Sequence, residues 1–189
     1  MTSIALNIIK HFHYLYKNLD IQRMYLFMIS CYLLMIFNLI NLFICGSMGY
    51  TSFSVFGANH AQFSLFAILI FVFTETLVMY FFIATGKSIK TILGEQNPAN
   101  AKELWEEVKQ IKKIIFPQIM LTILLIGGLY IFYFGYIISN SINESLPYSW
   151  LQGPLYLLGI VQHIWSLKIK NNSFKMQINI ISKIADSTK

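Results

Sequence analysis

Four apolar runs, separated by short polar segments, dominate the pattern of the chain. Each run is close to the roughly 20 residues that a helix needs to cross the hydrocarbon core of a bilayer. We therefore predict transmembrane helices at 21–46, 61–86, 114–138 and 150–167. The predicted fold is all-α: a polytopic bundle of four transmembrane helices in one membrane domain.

Three further segments combine charged and apolar residues at helical spacing. Residues 1–20 are predicted to form an amphipathic helix in the membrane interface, and residues 168–189 an amphipathic tail. Residues 87–113 are predicted to form a helical hairpin that extends the second and third helices beyond the membrane. Its second half has an apolar stripe that continues into the third span. The stripe has spacings of four, three and four residues and consists of Leu104, Val108, Ile111 and Ile115.

Local signals predict where the helices begin and end. Asp20 is expected to cap the first span, and Gly94 to end the second helix. Asn97 and Pro98 are typical of the N-cap and first position of a following helix. Pro117 predicts a bend where the third span begins, because its ring blocks the hydrogen bond to the carbonyl four residues back.

Charge gives the predicted orientation. Only 12% of the residues are charged, about half the share found in soluble domains. By the positive-inside rule both termini and the 87–113 hairpin are cytoplasmic, so we expect a multi-pass protein of a bacterial-type inner (cell) membrane. The net charge of +6 therefore indicates topology and not nucleic-acid binding. The 14 basic residues lie in three groups: Lys10, Lys17 and Arg23; Lys87, Lys90, Lys102, Lys109, Lys112 and Lys113; Lys168, Lys170, Lys175, Lys183 and Lys189.

One acid, Glu75, lies in the middle of the second span beside Thr74. A charged carboxylate at that depth costs roughly 3 kcal/mol on insertion scales, so something must face it or neutralise it. By residue type the nearest candidate is His163 in the fourth span. The two residues lie at similar depths when counted from the outer ends of their spans, although a count from the inner ends differs by roughly 10 Å.

Other polar residues extend this candidate intramembrane site. On the fourth span Tyr156 shares a face with His163, and such a polar stripe normally faces the interior of a bundle. Asn38 and Asn41 lie one turn apart in the first span, where amides usually bond to a neighbouring helix. The predicted site is therefore Glu75, His163, Thr74, Tyr156, Asn38 and Asn41.

Three interpretations of this site remain open. It is a polar lock that fixes helix packing, a site that handles protons or a ligand through Glu75 and His163, or a metal or haem site. One Glu and one His are too few for a self-contained metal centre, so no metal ligand is predicted. No cofactor is predicted either, although a haem or a quinone held together with a partner stays open.

Two smaller features concern the ends of the spans. His60 and Gln62 form a candidate outer-surface site, which competes with a simple wetted interface. Cys31 and Cys45 both lie in the first span, roughly 21 Å apart along a helix, so they cannot bridge each other and are expected to pack.

The absence of catalytic and nucleotide-binding motifs favours a non-catalytic role, and no catalytic residue is predicted. We expect an accessory or scaffold subunit of a larger membrane complex, and an enzyme acting on its own is disfavoured. The alternatives are a proton-coupled transport module that uses Glu75 and His163, and a quinone- or haem-associated redox subunit. Expected partners are membrane lipids and other proteins, in a complex or a homo-oligomer, and not nucleic acid.

Overall fold

The structure is a computed structural model. It describes residues 2–51, 53–96, 100–138 and 147–186, and for 2–23, 96, 185 and 186 the backbone alone. The chain is all-α, as predicted. Its long helices are α1 (Thr2–Thr51), α2 (His60–Gln96), α3 (Ala101–Phe132) and α4 (Gln152–Asp186), with a π-helical turn at Tyr133–Ile138 and a 3₁₀ turn at Ser149–Leu151.

Three of these helices are long and apolar enough to cross a membrane: Met24–Thr51, His60–Glu95 and Ala101–Ile138. α4 does not belong to this set, although it is as long as α2 or α3. The reason lies in its composition, because it carries lysines, asparagines and glutamines along much of its length.

The helices pack in chain order, α1 beside α2, α2 beside α3, and α3 beside α4, while α4 also contacts α1. This order places α2 and α4 diagonally across the bundle. A side chain of α2 can therefore reach α4 only through the centre.

α1 is continuous from Thr2 to Thr51, where two separate helices were predicted. Asp20, expected to cap the first span, lies inside this helix. The physical reason is that neither Gly nor Pro occurs before Gly46, so nothing in the backbone interrupts the helix.

The second and third helices extend well past their predicted spans. α2 continues to Gln96 and α3 begins at Ala101, with Asn100 at its N-cap. Asn97 and Pro98, predicted to begin the third helix, lie outside the described residues. α3 then runs through Pro117 without a break.

The predicted apolar stripe of α3 is buried. Leu104, Val108, Ile111 and Ile115 each expose 2% or less of their surface. They pack in one cluster with residues of the other helices, among them Phe82, Ile89, Phe174 and Ile180. The described residues of the 87–113 segment, 87–96 and 100–113, are therefore part of the same packed core and not a free extension.

Residues 168–186 belong to the same helix as 152–167, where a separate tail was predicted. Side chains hold this part of α4 against the bundle. Lys183 pairs with Glu107 of α3 at 2.7 Å, and the hydroxyl of Tyr32 on α1 donates to the side-chain oxygen of Asn171 at 2.7 Å.

Val108→Asp tests the importance of the α3 stripe. Val108 is buried, and its side chain lies close to that of Lys112. A carboxylate there loses its hydration and pairing with Lys112 recovers only part of that cost, so we expect a loss of about 3 kcal/mol in the free energy of unfolding. The control is Glu106→Gln, which removes only an exposed pair with Lys109 and should cost less than about 1 kcal/mol. The measurement is denaturant unfolding of the purified protein in detergent. Equal effects of the two variants would contradict the packing described above.

Candidate functional site

α4 turns one stripe of polar side chains inward. Its outward face over the first half is apolar and includes Leu157, Val161 and Trp165. The buried polar residues, spaced by three, four, three and four positions, are His163, Ser166, Lys170, Ser173 and Gln177. A helix with an apolar exterior and a polar buried stripe is typical of a membrane bundle with a polar interior.

A charge pair lies at the centre of the bundle. The Lys170 ammonium is 2.5 and 2.6 Å from the two carboxylate oxygens of Glu75, and neither side chain has any exposed surface. Because α2 and α4 are diagonal, this pair spans the middle of the bundle.

The sequence pattern grouped Lys170 with Lys168 among the basic residues of the predicted 168–189 tail, whereas its side chain is fully buried in the bundle. Side chains two positions apart on a helix point in directions that differ by about 200°, so Lys168 and Lys170 cannot face the same way. Lys168 is exposed, with its ammonium 5.6 Å from the centre of the Trp165 ring. A helical projection that continued the His163 face past residue 167 would have found Lys170.

His163 lies beside the pair and not in it. Its Nδ1 atom is 3.9 Å from Glu75 Oε1, which is too long for a hydrogen bond. The ring packs edge-on against Phe71, with centroids 6.0 Å apart. Neither ring nitrogen has a hydrogen-bond partner among the described residues.

The remaining residues of the predicted site divide into two groups. Asn38 and Asn41 are buried, and both polar side-chain atoms of Asn38 and the amide nitrogen of Asn41 have no partner in the described part of the chain. Thr74 donates to its own helix, to the carbonyl of Ile70 at 2.7 Å, and Tyr156 donates to the carbonyl of Leu42 at 3.1 Å.

The contacts between α1 and α4 give the order of these groups along the bundle. Tyr156 contacts Leu42 near one end, and Tyr32 contacts Asn171 further along. Asn38 and Asn41 lie between these two contacts on α1, as His163 and Ser166 do on α4. The amides are therefore close in level to His163.

Polar groups continue beyond the charge pair. Ser173 is fully buried, and the amide of Gln177 donates to the hydroxyl of Thr85 on α2. We call the whole series the polar axis; its members, in order along the bundle, are Asn41, Asn38, His163, Ser166, Glu75 with Lys170, Ser173, and Thr85 with Gln177.

A second feature lies where α1 ends and where α2 and α4 begin. This terminal pocket has a volume of about 310 Å³. Two glycines of α1 allow aromatic rings to lie against the helix beside this pocket. The ring of Tyr156 covers Gly46, and a Cβ atom on Gly49 would lie 3.2 Å from the ring of His60. Its wall includes Cys45, His60, Ser64, Tyr130, Tyr133 and Trp150.

His60 and Gln62, predicted to form one surface site, have different roles. Gln62 is exposed and exchanges hydrogen bonds of 2.9 and 3.0 Å with Asn59, which caps the start of α2. His60 instead points into the bundle, where Nδ1 is 2.8 Å from the hydroxyl of Tyr133 and Nε2 is 3.8 Å from the sulfur of Cys45.

Cys45 has further polar neighbours. Its sulfur is 3.1 Å from the hydroxyl of Ser64 and accepts a hydrogen bond from Tyr130 at 3.7 Å. Sequence reasoning missed this cluster because Cys45, His60 and Tyr133 come from three different helical elements and follow no shared spacing.

Across the described ranges, no group of three or more His, Cys, Asp or Glu side chains could hold a metal ion. No family model, curated protein or solved structure matches this chain. The polar axis presents buried groups that can donate and accept hydrogen bonds, and the terminal pocket presents a thiol beside an imidazole.

Lys170→Met tests the charge pair. Removal of one member leaves Glu75 buried without its partner, which costs about 3–5 kcal/mol in the free energy of unfolding. The double variant Glu75→Gln with Lys170→Met removes both charges and should recover most of that loss. The matched control is Lys168→Met, which changes an exposed lysine two residues away. Equal destabilisation by Lys168→Met and Lys170→Met, measured by unfolding in detergent, would contradict the pairing.

Proposed function

We propose that the chain is a membrane module that transfers protons along its polar axis, with Glu75 and His163 as the groups that accept and release them. The observation that carries this proposal is the buried charge pair of Glu75 and Lys170, lying among buried polar atoms that have no partner in the described residues.

The number of unsatisfied groups argues for proton handling. A purely structural polar network stabilises a bundle when its members satisfy one another, and a partly satisfied one is costly. Here seven buried side-chain nitrogen and oxygen atoms, on α1 and α4, have no partner among the residues described. Groups of this kind commonly hydrogen-bond to internal water, which can carry protons between them.

The charge pair supplies the titrating step. His163 receives the proton on its ring, and Nδ1 of that ring lies 3.9 Å from a carboxylate oxygen of Glu75. Protonation of Glu75 removes the negative charge that holds Lys170, so the ammonium can release its proton toward Ser173. Return of the Glu75 proton to Lys170 then restores the pair, and intramembrane acids and histidines serve such relays.

The proposed topology has four crossings, with α4 as the fourth. Its apolar outward face fits lipid, although its polar stripe keeps it below the hydropathy of the other three helices. The positive-inside rule, applied to the basic residues outside the bundle interior, supports a topology with both termini and the connection between α2 and α3 on the cytoplasmic side of a cell membrane.

Proton flux into liposomes tests the proposed function. The protein is reconstituted with a pH-sensitive dye inside, and a potassium diffusion potential drives protons inward. We expect flux above that of protein-free liposomes in the wild type and in Lys168→Met, and flux at the protein-free level in Glu75→Gln. His163→Gln should also reduce it. Wild-type flux no higher than that of empty liposomes, or unchanged flux in a folded Glu75→Gln variant, would overturn the proposal.

A second candidate is the accessory or scaffold subunit. It is favoured by the geometry of the pair, since each charge fully neutralises the other and joins two diagonal helices. For this role Glu75→Gln should still assemble and function, because it keeps hydrogen-bonding capacity, whereas Glu75→Leu should fail to assemble. Co-purification with partner proteins measures assembly.

Labelling of single cysteines tests the topology. In a background of Cys31→Ser and Cys45→Ser, Asn97→Cys and Asn143→Cys place probes in two different connections. We expect an impermeant thiol reagent, added outside intact cells, to label the Asn143→Cys probe and to spare the Asn97→Cys probe. Labelling of Asn97→Cys from outside would reverse the orientation.

A further inference from the structure

We propose that Cys45 is a nucleophilic thiol that accepts the acyl group of a lipophilic ester in the terminal pocket. His60 activates the thiol, and Tyr133 positions His60. This activity lies outside the polar axis and does not depend on proton transfer along it.

The first argument is the arrangement of nucleophile, base and orienting group. Activated nucleophiles lie within hydrogen-bond reach of a base that a third group holds in place. Cys45 Sγ is 3.8 Å from Nε2 of His60, within the longer reach of sulfur hydrogen bonds, and the other ring nitrogen is 2.8 Å from the hydroxyl of Tyr133.

The direction of the Tyr133 hydrogen bond decides whether His60 can act as the base. If Tyr133 accepts the hydrogen bond from Nδ1–H, then Nε2 is unprotonated and can take the proton of the Cys45 thiol. If Tyr133 donates to Nδ1, then Nε2 carries the proton and can only donate it toward the sulfur. The proposed reaction uses the first arrangement, in which the single proton between His60 and Cys45 is that of the thiol.

The second argument is the group of donors around the sulfur. The hydroxyls of Ser64 and Tyr130 lie 3.1 and 3.7 Å from it. Donors in these positions can stabilise negative charge on the sulfur, and they lie next to the point where the oxyanion of an attacked ester would form.

The third argument is the pocket itself. Its volume of about 310 Å³ is at the lower end of the range for small-molecule sites. Aromatic rings, including those of Tyr50, Trp150 and Tyr156, form much of its wall. It lies at the end of three apolar helices, where amphipathic molecules with a polar ester and an apolar chain accumulate. A short or medium acyl ester fits both the size and the lining.

The proposed reaction needs no cofactor beyond the ester and water. His60 takes the thiol proton as sulfur attacks the carbonyl carbon, which forms the C–S bond of a tetrahedral intermediate. The C–O bond to the alcohol then breaks, and His60 returns the proton to the departing oxygen. Water completes the cycle: it attacks the thioester with His60 as base, releases the carboxylic acid and restores the thiol.

Cys31 provides an internal control. It is fully buried and belongs to the apolar cluster around Val108, Phe82 and Phe174. Both cysteines lie on α1, but only Cys45 contacts an imidazole in the described structure.

Reaction with p-nitrophenyl butyrate in detergent tests the proposal. We expect a burst of about one equivalent of p-nitrophenolate and an intact mass increased by one butyryl group, mapped by peptide mass spectrometry to Cys45. Cys31→Ser should behave like the wild type, whereas Cys45→Ser should give no burst. His60→Gln should acylate on the order of 10²–10⁴ times more slowly, the usual contribution of a general base, and Tyr133→Phe should show a smaller decrease.

Three results would overturn the proposal. They are acylation mapped to Cys31 or to lysines alone, a wild-type burst no larger than that of Cys45→Ser, and an equal acylation rate in His60→Gln. Because the peptide map is made on the wild-type protein, the site is identified even if a variant fails to fold. Circular dichroism and gel filtration show whether each variant is folded, so that its acylation rate can be compared with that of the wild type.

Discussion

The burial of two charges at the centre of the bundle is the constraint on which the rest of the structure depends. Glu75 in an apolar span and Lys170 in a polar helix would each be costly alone, and together they neutralise each other at 2.5 Å. Because their helices are diagonal, the pair sets the relative level of α2 and α4. The bond between Gln177 and Thr85, further along the same two helices, is consistent with that level.

The same pair explains why α4 lies in the bundle although its hydropathy is below that of the other helices. A helix with lysine, serine and glutamine on one stripe is stable among apolar neighbours only if that stripe faces other polar groups. α4 turns this stripe toward the Glu75 side of the interior, and its remaining surface is largely apolar over the first half. The low mean hydropathy of α4 reflects both this buried polar stripe and, from residue 168 onward, exposed polar residues such as Lys168, Asn172 and Lys175.

The two ends of the bundle differ, and this difference separates the two proposed activities. At the end that carries the α2–α3 connection, Leu104, Val108 and Phe174 form a tightly packed apolar core. At the other end Gly46 and Gly49 keep the α1 surface open, so that aromatic rings and His60 surround a pocket. The proposed proton transfer uses the buried polar groups between these ends, and the proposed thiol chemistry uses the pocket at the open end.

By itself the sequence determined the all-α fold, the three most apolar helices and the buried stripe of α3, because hydrophobic periodicity reports local burial. It also pointed to Glu75, since a single acid in an apolar run is visible without any contact. Lys168 and Lys170 look alike in sequence, and only a helical projection that continues the His163 face separates the inward lysine from the outward one. The contact of Lys170 with Glu75 itself depends on the tertiary packing. Nor could the sequence assemble Cys45, His60 and Tyr133, whose meeting depends on how three helical elements pack. Residues that are distant in sequence and adjacent in the fold follow no regular spacing, so only the tertiary structure decided that these three meet.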